Sequence, residues 1–387
     1  MALSRLAAEL KAAGRDVIAL TQGEPDFGSP DVASEAGIAA IRQGDTRYTA
    51  VDGLVSLRRA IAAKLKRENG LDYSADEITV SSGSKILLFT AMMALLDRDD
   101  EVLIPAPFWV SYPEMVRYAD GVPVIVETTP EDGFRLTAER LAAAITPRTR
   151  LLILNNPSNP TGAVYTAEHL AALAPVLLAN PQVAVLTDDI YEHLTFDGIK
   201  PGVIAAVIPQ LRNRTVVVNG FSKGYGLTGW RLGFAAALKP VIAAINALNS
   251  QSISSPSTIA QYAALAALEG SDNFRARNRA EFEARRDIVN TIVPEIPGLT
   301  LIRPEGAFYA YVGCAGLIGR KGLSGTVLEG DEDVARDLLE NEGLAVVPGT
   351  PFGLSPYLRL SFSVSRPVLQ DALARLQRYC SRITNGN

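Results

Sequence analysis

The chain has 387 residues, 48% hydrophobic and 20% charged, with a formal net charge of −5. That balance argues against a nucleic-acid or anionic-membrane partner, since either needs clustered Lys and Arg, and the length exceeds what one core usually fills, so two domains are expected. Cys314 and Cys380 have neither metal-ligand spacing nor the numbers for a disulfide framework, and no signal-peptide or transmembrane run appears, so small-molecule chemistry in a reducing cytoplasm is the expectation.

In chain order, Met1 to Ala13 alternates apolar and charged residues at helical spacing, and Gly83-Ser84-Lys85 opens an apolar helical run from Ile86 to Leu96. Short apolar runs follow at Glu101 to Pro105, Arg150 to Asn155, Val183 to Thr187, Thr215 to Val218 and Leu232 to Ala237, separated by longer helical patterns. Such alternation predicts a mostly parallel sheet covered by helices on both faces. A charged helical stretch, Asn273 to Val293, ends that pattern. Beyond it come strands at Thr300 to Arg303 and Ala307 to Val312, a helix near Asp331 to Glu342, strands at Ala345 to Val347 and Tyr357 to Ser363, and a last helix from about Ser365, which read as a smaller α/β domain. Gly319 to Gly330, rich in glycine, reads as an exposed loop. Ligands of open α/β sheets sit at the carboxyl ends of the strands, where Asn159, Asp188 and Lys223 all fall, so three segments converge on one crevice. The sheet alone does not name the ligand.

The most informative run is Gly220-Phe221-Ser222-Lys223-Gly224-Tyr225-Gly226-Leu227-Thr228-Gly229-Trp230-Arg231-Leu232-Gly233, one amine among small residues with an arginine eight positions on. An exposed lysine stays ammonium and does not attack a carbonyl at neutral pH; desolvation or a cationic neighbour changes that. Taken alone Lys223 reads as an ordinary loop lysine, but the whole run is a layout for holding an aldehyde cofactor covalently while a cation grips its phosphate. It resembles the lysine segment of the class-I aminotransferases, fold-type I enzymes dependent on pyridoxal 5'-phosphate. Thr21-Gln22-Gly23-Glu24-Pro25-Asp26-Phe27, Asn156-Pro157-Ser158-Asn159-Pro160-Thr161-Gly162, Asp188-Asp189-Ile190-Tyr191 and Arg359 fall in the family's order over nearly the whole chain. Trp109-Val110-Ser111-Tyr112-Pro113-Glu114-Met115 and Cys314-Ala315-Gly316-Leu317-Ile318-Gly319 look most like the bacterial aspartate and prephenate aminotransferases.

The resemblance implies a large domain, residues 31–284, with a mostly parallel seven-stranded sheet between helices, and a small α/β domain, 285–387, joined by an N-terminal segment, 1–30. It makes Lys223 the catalytic residue and places Ser84 and Lys85 at the phosphate end, where the free amides of a helix start suit an anion, although a plain N-cap serine is the ordinary alternative. Arg231 matches the phosphate-binding arginine, otherwise a surface ion pair. Ser222 joins the cofactor set, and Tyr48 looks like the tyrosine that reaches the neighbouring subunit's phosphate, which implies a homodimer; alone it would be a half-buried tyrosine. Asp188 resembles the aspartate that keeps the pyridine nitrogen protonated, with Asp189 where the family commonly has glutamate. Tyr191 and Asn159 match the residues on the ring hydroxyl, and Trp109 the aromatic stacked on the ring, otherwise a core tryptophan.

Arg359 interrupts an apolar strand pattern and needs a partner; the family uses it to clamp the substrate's α-carboxylate, with the Gly23 backbone, Asn159 and Trp109 beside it. Lys85 matches a lysine that contacts a distal carboxylate, and Ser250 to Ser257 holds no arginine for that purpose. The implied reaction moves an amino group from an amino acid, aspartate first, to a 2-oxo acid such as 2-oxoglutarate by a ping-pong route, with no metal. Prephenate, aromatic or neutral donors, a lyase or oxidase on the same scaffold, and a non-catalytic cofactor sensor remain open. Three departures bear on this: relatives carry a further N-terminal arm useful for prephenate, Gln22 replaces a small residue, and Gly220 replaces a phosphate-binding serine, with a slightly weaker cofactor grip expected.

Overall fold

The computed structural model describes residues 2–385. Its strands in chain order are β1 (Ile18–Ala19), β2 (Ile78–Ser81), β3 (Glu101–Ala106), β4 (Val122–Glu127), β5 (Thr149–Asn155), β6 (Ala184–Asp188), β7 (Thr215–Gly220), β8 (Gly233–Ala236), β9 (Thr300–Leu301), β10 (Tyr309–Gly313), β11 (Leu344–Ala345), β12 (Val347–Pro348) and β13 (Tyr357–Ser361). Seven of them form one sheet in the order β2-β8-β7-β6-β5-β3-β4. β3 to β7 run parallel to their neighbours among themselves, while β8 is antiparallel to both β2 and β7. The side chains of β5 show why short apolar runs suffice: Leu151 and Ile153 enter the core on one face, and Leu152 and Leu154 the core on the other. A strand covered on both faces needs no polar alternation.

On the first of those faces lies the Ser84–Leu95 helix, whose Leu87, Leu88, Ala91 and Met92 pack against Val216 and Val218 of β7. It is apolar on nearly every side, but its burial is one-sided: Leu87, Leu88, Thr90, Ala91 and Met92 are buried while Met93 is 42% exposed. Its first residues, Ser84 and Lys85, face the carboxyl ends of the central strands.

A second, antiparallel sheet runs β12-β13-β10-β9. The apolar run Ala345 to Val347 divides between two partners: Ala345 pairs with Ala19 in a parallel two-stranded ribbon, and Val347 pairs with Arg359 of β13. The Leu20 carbonyl accepts the Ser361 amide at 2.9 Å, so residues 18–20 are stitched to the C-terminal sheet. The 21-residue Asp272–Ile292 helix is continuous through position 285, and its Phe282 and Val289 share a core with Phe308, Leu358 and Leu360. The Gly319 to Gly330 segment is less free than its glycines imply. Leu328 is fully buried, and the Asp337 carboxylate accepts the Leu323 and Ser324 amides at 2.8 and 2.9 Å. Among the described residues no helix is long and apolar enough to cross a membrane.

Candidate active site

The carboxyl ends of β5, β6 and β7, the start of the Ser84–Leu95 helix, the segment after β1 and the antiparallel sheet enclose a cavity of about 620 Å³. Gly23, Ser84, Lys85, Trp109, Asn159, Asp188, Tyr191, Ser222, Lys223, Arg231 and Arg359 all line it. Tyr48 does not: it is 89% exposed and sits in a separate surface hollow with Arg47, Ser257 and Thr258. Gln22 is exposed and is absent from the lining.

Lys223 lies three residues past β7, and its Nζ donates to the Gly23 carbonyl. Burial pushes its pKa down to about 8, with Arg231 and Arg359 acting the same way and Glu24 and Asp188 opposing. Asp188 ends β6 and is buried, which raises its carboxyl to about 6 against the hydrogen bond from Tyr112, the nearby Ile190 amide and the Lys223 charge. The Tyr112 hydroxyl donates to Oδ2 at 2.7 Å, and Oδ1 is buried with no hydrogen-bond partner among the described residues. Asp189 takes the Thr187 hydroxyl at 3.0 Å and lies outside the cavity lining; burial and the nearby Glu192 push its carboxyl well up. Of the adjacent pair, therefore, only Asp188 faces the cavity.

Arg359 stands on β13 between the aromatic faces of Tyr309 and Phe352, its guanidinium carbon 4.6 and 5.0 Å from the ring centroids. It donates to the Thr21 carbonyl at 2.7 Å and to Asn159 Oδ1 at 3.1 Å, and its Nε is buried without a partner among the described residues. The Asn159 amide in turn donates to Asn155 Oδ1 at 2.7 Å, so the loop is held by the end of β5. Tyr191 and Tyr309 place their hydroxyls 3.0 Å apart.

At the other end Ser84 and Lys85 start the helix. Gly83 precedes it with φ 95°, and a Cβ there would lie 2.6 Å from Arg231 Nη2. Arg231 donates to the Thr228 carbonyl at 3.1 Å. A side chain at Gly220 would run into the Ser84 hydroxyl, which donates to the Asn219 carbonyl at 2.9 Å, so glycine is a packing requirement of this chain. Lys85 Nζ stands 4.6 Å over the Trp109 ring, and desolvation and Arg231 both lower its pKa.

The lining thus carries four cations, Lys85, Lys223, Arg231 and Arg359, and one carboxylate, Asp188. None of the four makes a salt bridge among the described residues. A cavity of this sign attracts a ligand with several negative groups, and the lone carboxylate suits a protonated ring nitrogen. Tyr112, Tyr309 and Phe352 were not legible as site residues, because an aromatic residue in an apolar segment carries the same pattern whether it lines a core or a cavity.

Residues 15–376 match the aminotransferase class I and II family. The chain is 51% identical over 98% of its length to a probable aspartate/prephenate aminotransferase of Rhizobium leguminosarum bv. phaseoli, covering 95% of that protein. It is 50% identical to the aspartate/prephenate aminotransferase of Cereibacter sphaeroides, over 99% of this chain and 96% of that one. Among solved structures it is similar to the aspartate aminotransferase of Rhizobium meliloti, with a TM-score of 0.96, 47% identity and coverage of 98% and 95% of the two chains. It is also similar to the Thermus thermophilus aspartate aminotransferase with maleate, with a TM-score of 0.91, 42% identity and coverage of 98% and 95%.

Proposed function

The chain belongs to the class I and II aminotransferases, and from that membership we propose that it holds pyridoxal 5'-phosphate through Lys223 and moves the amino group of aspartate to a 2-oxo acid such as 2-oxoglutarate in two alternating half-reactions. The observation that carries the reading is a set of unmet demands in one cavity: among the described residues Asp188 Oδ1 and Arg359 Nε are buried without partners, and the cations beside them have no salt-bridging acid. The cofactor's groups answer these demands. Its ring nitrogen suits Asp188, its phosphate suits Arg231, Ser222 and the first-turn amides after Gly83, its ring hydroxyl suits Tyr191 and Asn159, and its ring face suits Trp109. When bound, the cofactor supplies an electron sink for the pair left on the substrate Cα.

The chain's own residues do the rest. Arg359, with Gly23 and Asn159 beside it, binds the α-carboxylate and orients the Cα hydrogen. Lys223 Nζ, brought near neutrality by desolvation, takes that proton and returns it elsewhere. Tyr112 holds Asp188 in place and favours its ionised form. Lys85 meets the distal carboxylate of an acidic donor. A second reading, prephenate or an aromatic donor in the same cavity, draws on the apolar wall of Leu88, Val110, Val347, Pro351 and Phe352 and on the double name of the relatives.

The exposed Tyr48 supports a homodimer in which it reaches the neighbouring site. The proposed division is into residues 1–30, 31–284 and 285–387; the pairing of residues 18–20 with the C-terminal strands speaks for the first segment, while the last boundary falls inside the continuous Asp272–Ile292 helix. The enzyme would work in the cytoplasm; both cysteines are free and buried.

The test follows the two half-reactions one at a time. Loaded protein mixed with aspartate, glutamate, phenylalanine or leucine should lose its visible band, fastest with aspartate, and regain it with 2-oxoglutarate. Release of ammonia without an oxo acid would make it a lyase, and protein that stays colourless with the cofactor would sink the reading.

A further inference from the structure

Tyr309 on β10 is 1% exposed and stands between two groups with different tasks. Its ring lies 4.6 Å beneath the Arg359 guanidinium, and its hydroxyl is 3.0 Å from that of Tyr191, with the two rings edge to face at 5.8 Å and 82°. A Cβ at Gly23 would lie 2.6 Å from the same hydroxyl, so the segment after β1 presses against it. We infer that Tyr309 is a positioning residue that ties the α-carboxylate seat at Arg359 to the tyrosine that meets the cofactor ring, so that the two act as one unit; this rests on the cofactor reading above.

Two properties of one side chain make the tie. The negative face of the ring steadies the cation without neutralising it, as a carboxylate would, and so leaves the guanidinium available to a substrate carboxylate. The hydroxyl can supply a proton to Tyr191. A phenol has one proton to give, and among the described residues each of these two hydroxyls has the other as its only hydrogen-bond partner. Both residues line the cavity, so the chain by itself allows either direction. With the cofactor held as proposed, Tyr191 would give its proton to the ring hydroxyl and would have to accept from Tyr309, and that bond strengthens Tyr191 as a donor.

Two substitutions separate the properties. Tyr309→Phe keeps the ring and removes the proton; Tyr309→Leu removes both. Each loaded protein is titrated by its visible band and by its affinity for maleate, the dicarboxylate named with the Thermus thermophilus structure. Tyr309→Phe should bind maleate within about twofold of the parent, because the ring stays under Arg359. Its band should titrate about half a unit to one unit higher, the size of one lost hydrogen bond, since a weaker donor at Tyr191 leaves the nitrogen joined to Lys223 more basic. Tyr309→Leu should show the same shift and bind maleate about tenfold more weakly. A Tyr309→Phe midpoint equal to the parent's, or a folded Tyr309→Leu with parental affinity, overturns the inference while the cofactor reading stands. A parent chain that gives no visible band overturns both, and if the leucine variant fails to fold, the phenylalanine midpoint alone decides.

Discussion

Two sets of basic residues sit away from water in this chain and are treated in opposite ways. Arg286, with no exposure, is surrounded by acids: Asp197 takes Nη1 at 2.7 Å and Asp287 takes Nε at 2.8 Å, with Glu283 at 3.5 Å. Lys64, 1% exposed, donates to Glu192 and to Asn69 Oδ1. In the cavity Arg359, 7% exposed, and the half-buried Lys223 have carbonyls, an amide oxygen and aromatic faces around them, but no acid in salt-bridge range among the described residues. A charge out of water is costly unless paired. The first set finds its partners in the chain, and the second takes them from a ligand.

The largest effect that could break this contrast is at Lys223. Lys223→Ala should lower kcat by at least about 10⁴-fold, since both covalent attachment and proton transfer go with the amine. It should abolish the visible band on loading, and leave thermal stability unchanged or raised. Lys64→Ala should do the reverse, costing about 3–5 kcal/mol of stability by stranding Glu192 while sparing turnover per folded molecule. Melting curves and rates measured side by side decide it; a Lys223→Ala protein that still turns over ends the argument. Next comes Arg359→Leu, which should cut kcat/KM for every α-amino acid by about 10²-fold or more, the usual loss for truncating one partner of a close charge pair. A loss confined to one donor would contradict a role at the α-carboxylate.

The unequal legibility of the chain has the same origin. Runs such as Arg150 to Asn155 read as strands because both faces of the sheet are covered, and Arg359 stands out as a charge in an apolar strand pattern, whereas Lys223, alone an ordinary loop lysine, and Asp188 read as site residues through the runs around them and the family resemblance those runs carry. β2, four residues with two hydroxyls, and β4, an edge strand interrupted by Pro123 with Val122 and Ile125 exposed, lack the covered-strand pattern. The antiparallel direction of β8 leaves no mark in composition. Tyr112 and Tyr309 were hidden for a different reason: what sets them apart is a hydroxyl partner distant in sequence, Asp188 or Tyr191, which only the fold brings near.

The contrast also has a pH signature in the ligand-free protein. Asp188 has its carboxyl raised from 3.8 to about 6, so the stability it contributes is complete below pH 3.8 and lost as pH rises through 6. Lys223, lowered from 10.5 to about 8, contributes stability above pH 10.5 that is lost as pH falls through 8. Paired Asp197 has the opposite sign to Asp188: its carboxyl is lowered, mainly by the Arg286 hydrogen bond, and its contribution disappears as pH falls. Asp188→Asn should therefore remove the decline between about pH 4 and 6 and stabilise the ligand-free protein near neutrality by about 2–3 kcal/mol, the worth of such a shift. Denaturant titrations across pH 4–8 test this, and parallel curves for the parent and the variant would show that Asp188 bears no burial cost.

The smallest expected effect is the most discriminating for substrate. Lys85 is exposed at the cavity rim, with its amine over the Trp109 face and no acid in salt-bridge range among the described residues. If it serves the distal carboxylate, Lys85→Ala should lower kcat/KM for aspartate and glutamate by about tenfold, one charge-assisted hydrogen bond in a partly wet site, and change phenylalanine and leucine by less than about twofold. If instead it serves the phosphate alongside Arg231, all four donors should suffer alike and the cofactor should dissociate more readily. Measuring the four specificity constants together with cofactor affinity separates the two, because a lysine that meets only the substrate leaves cofactor retention untouched.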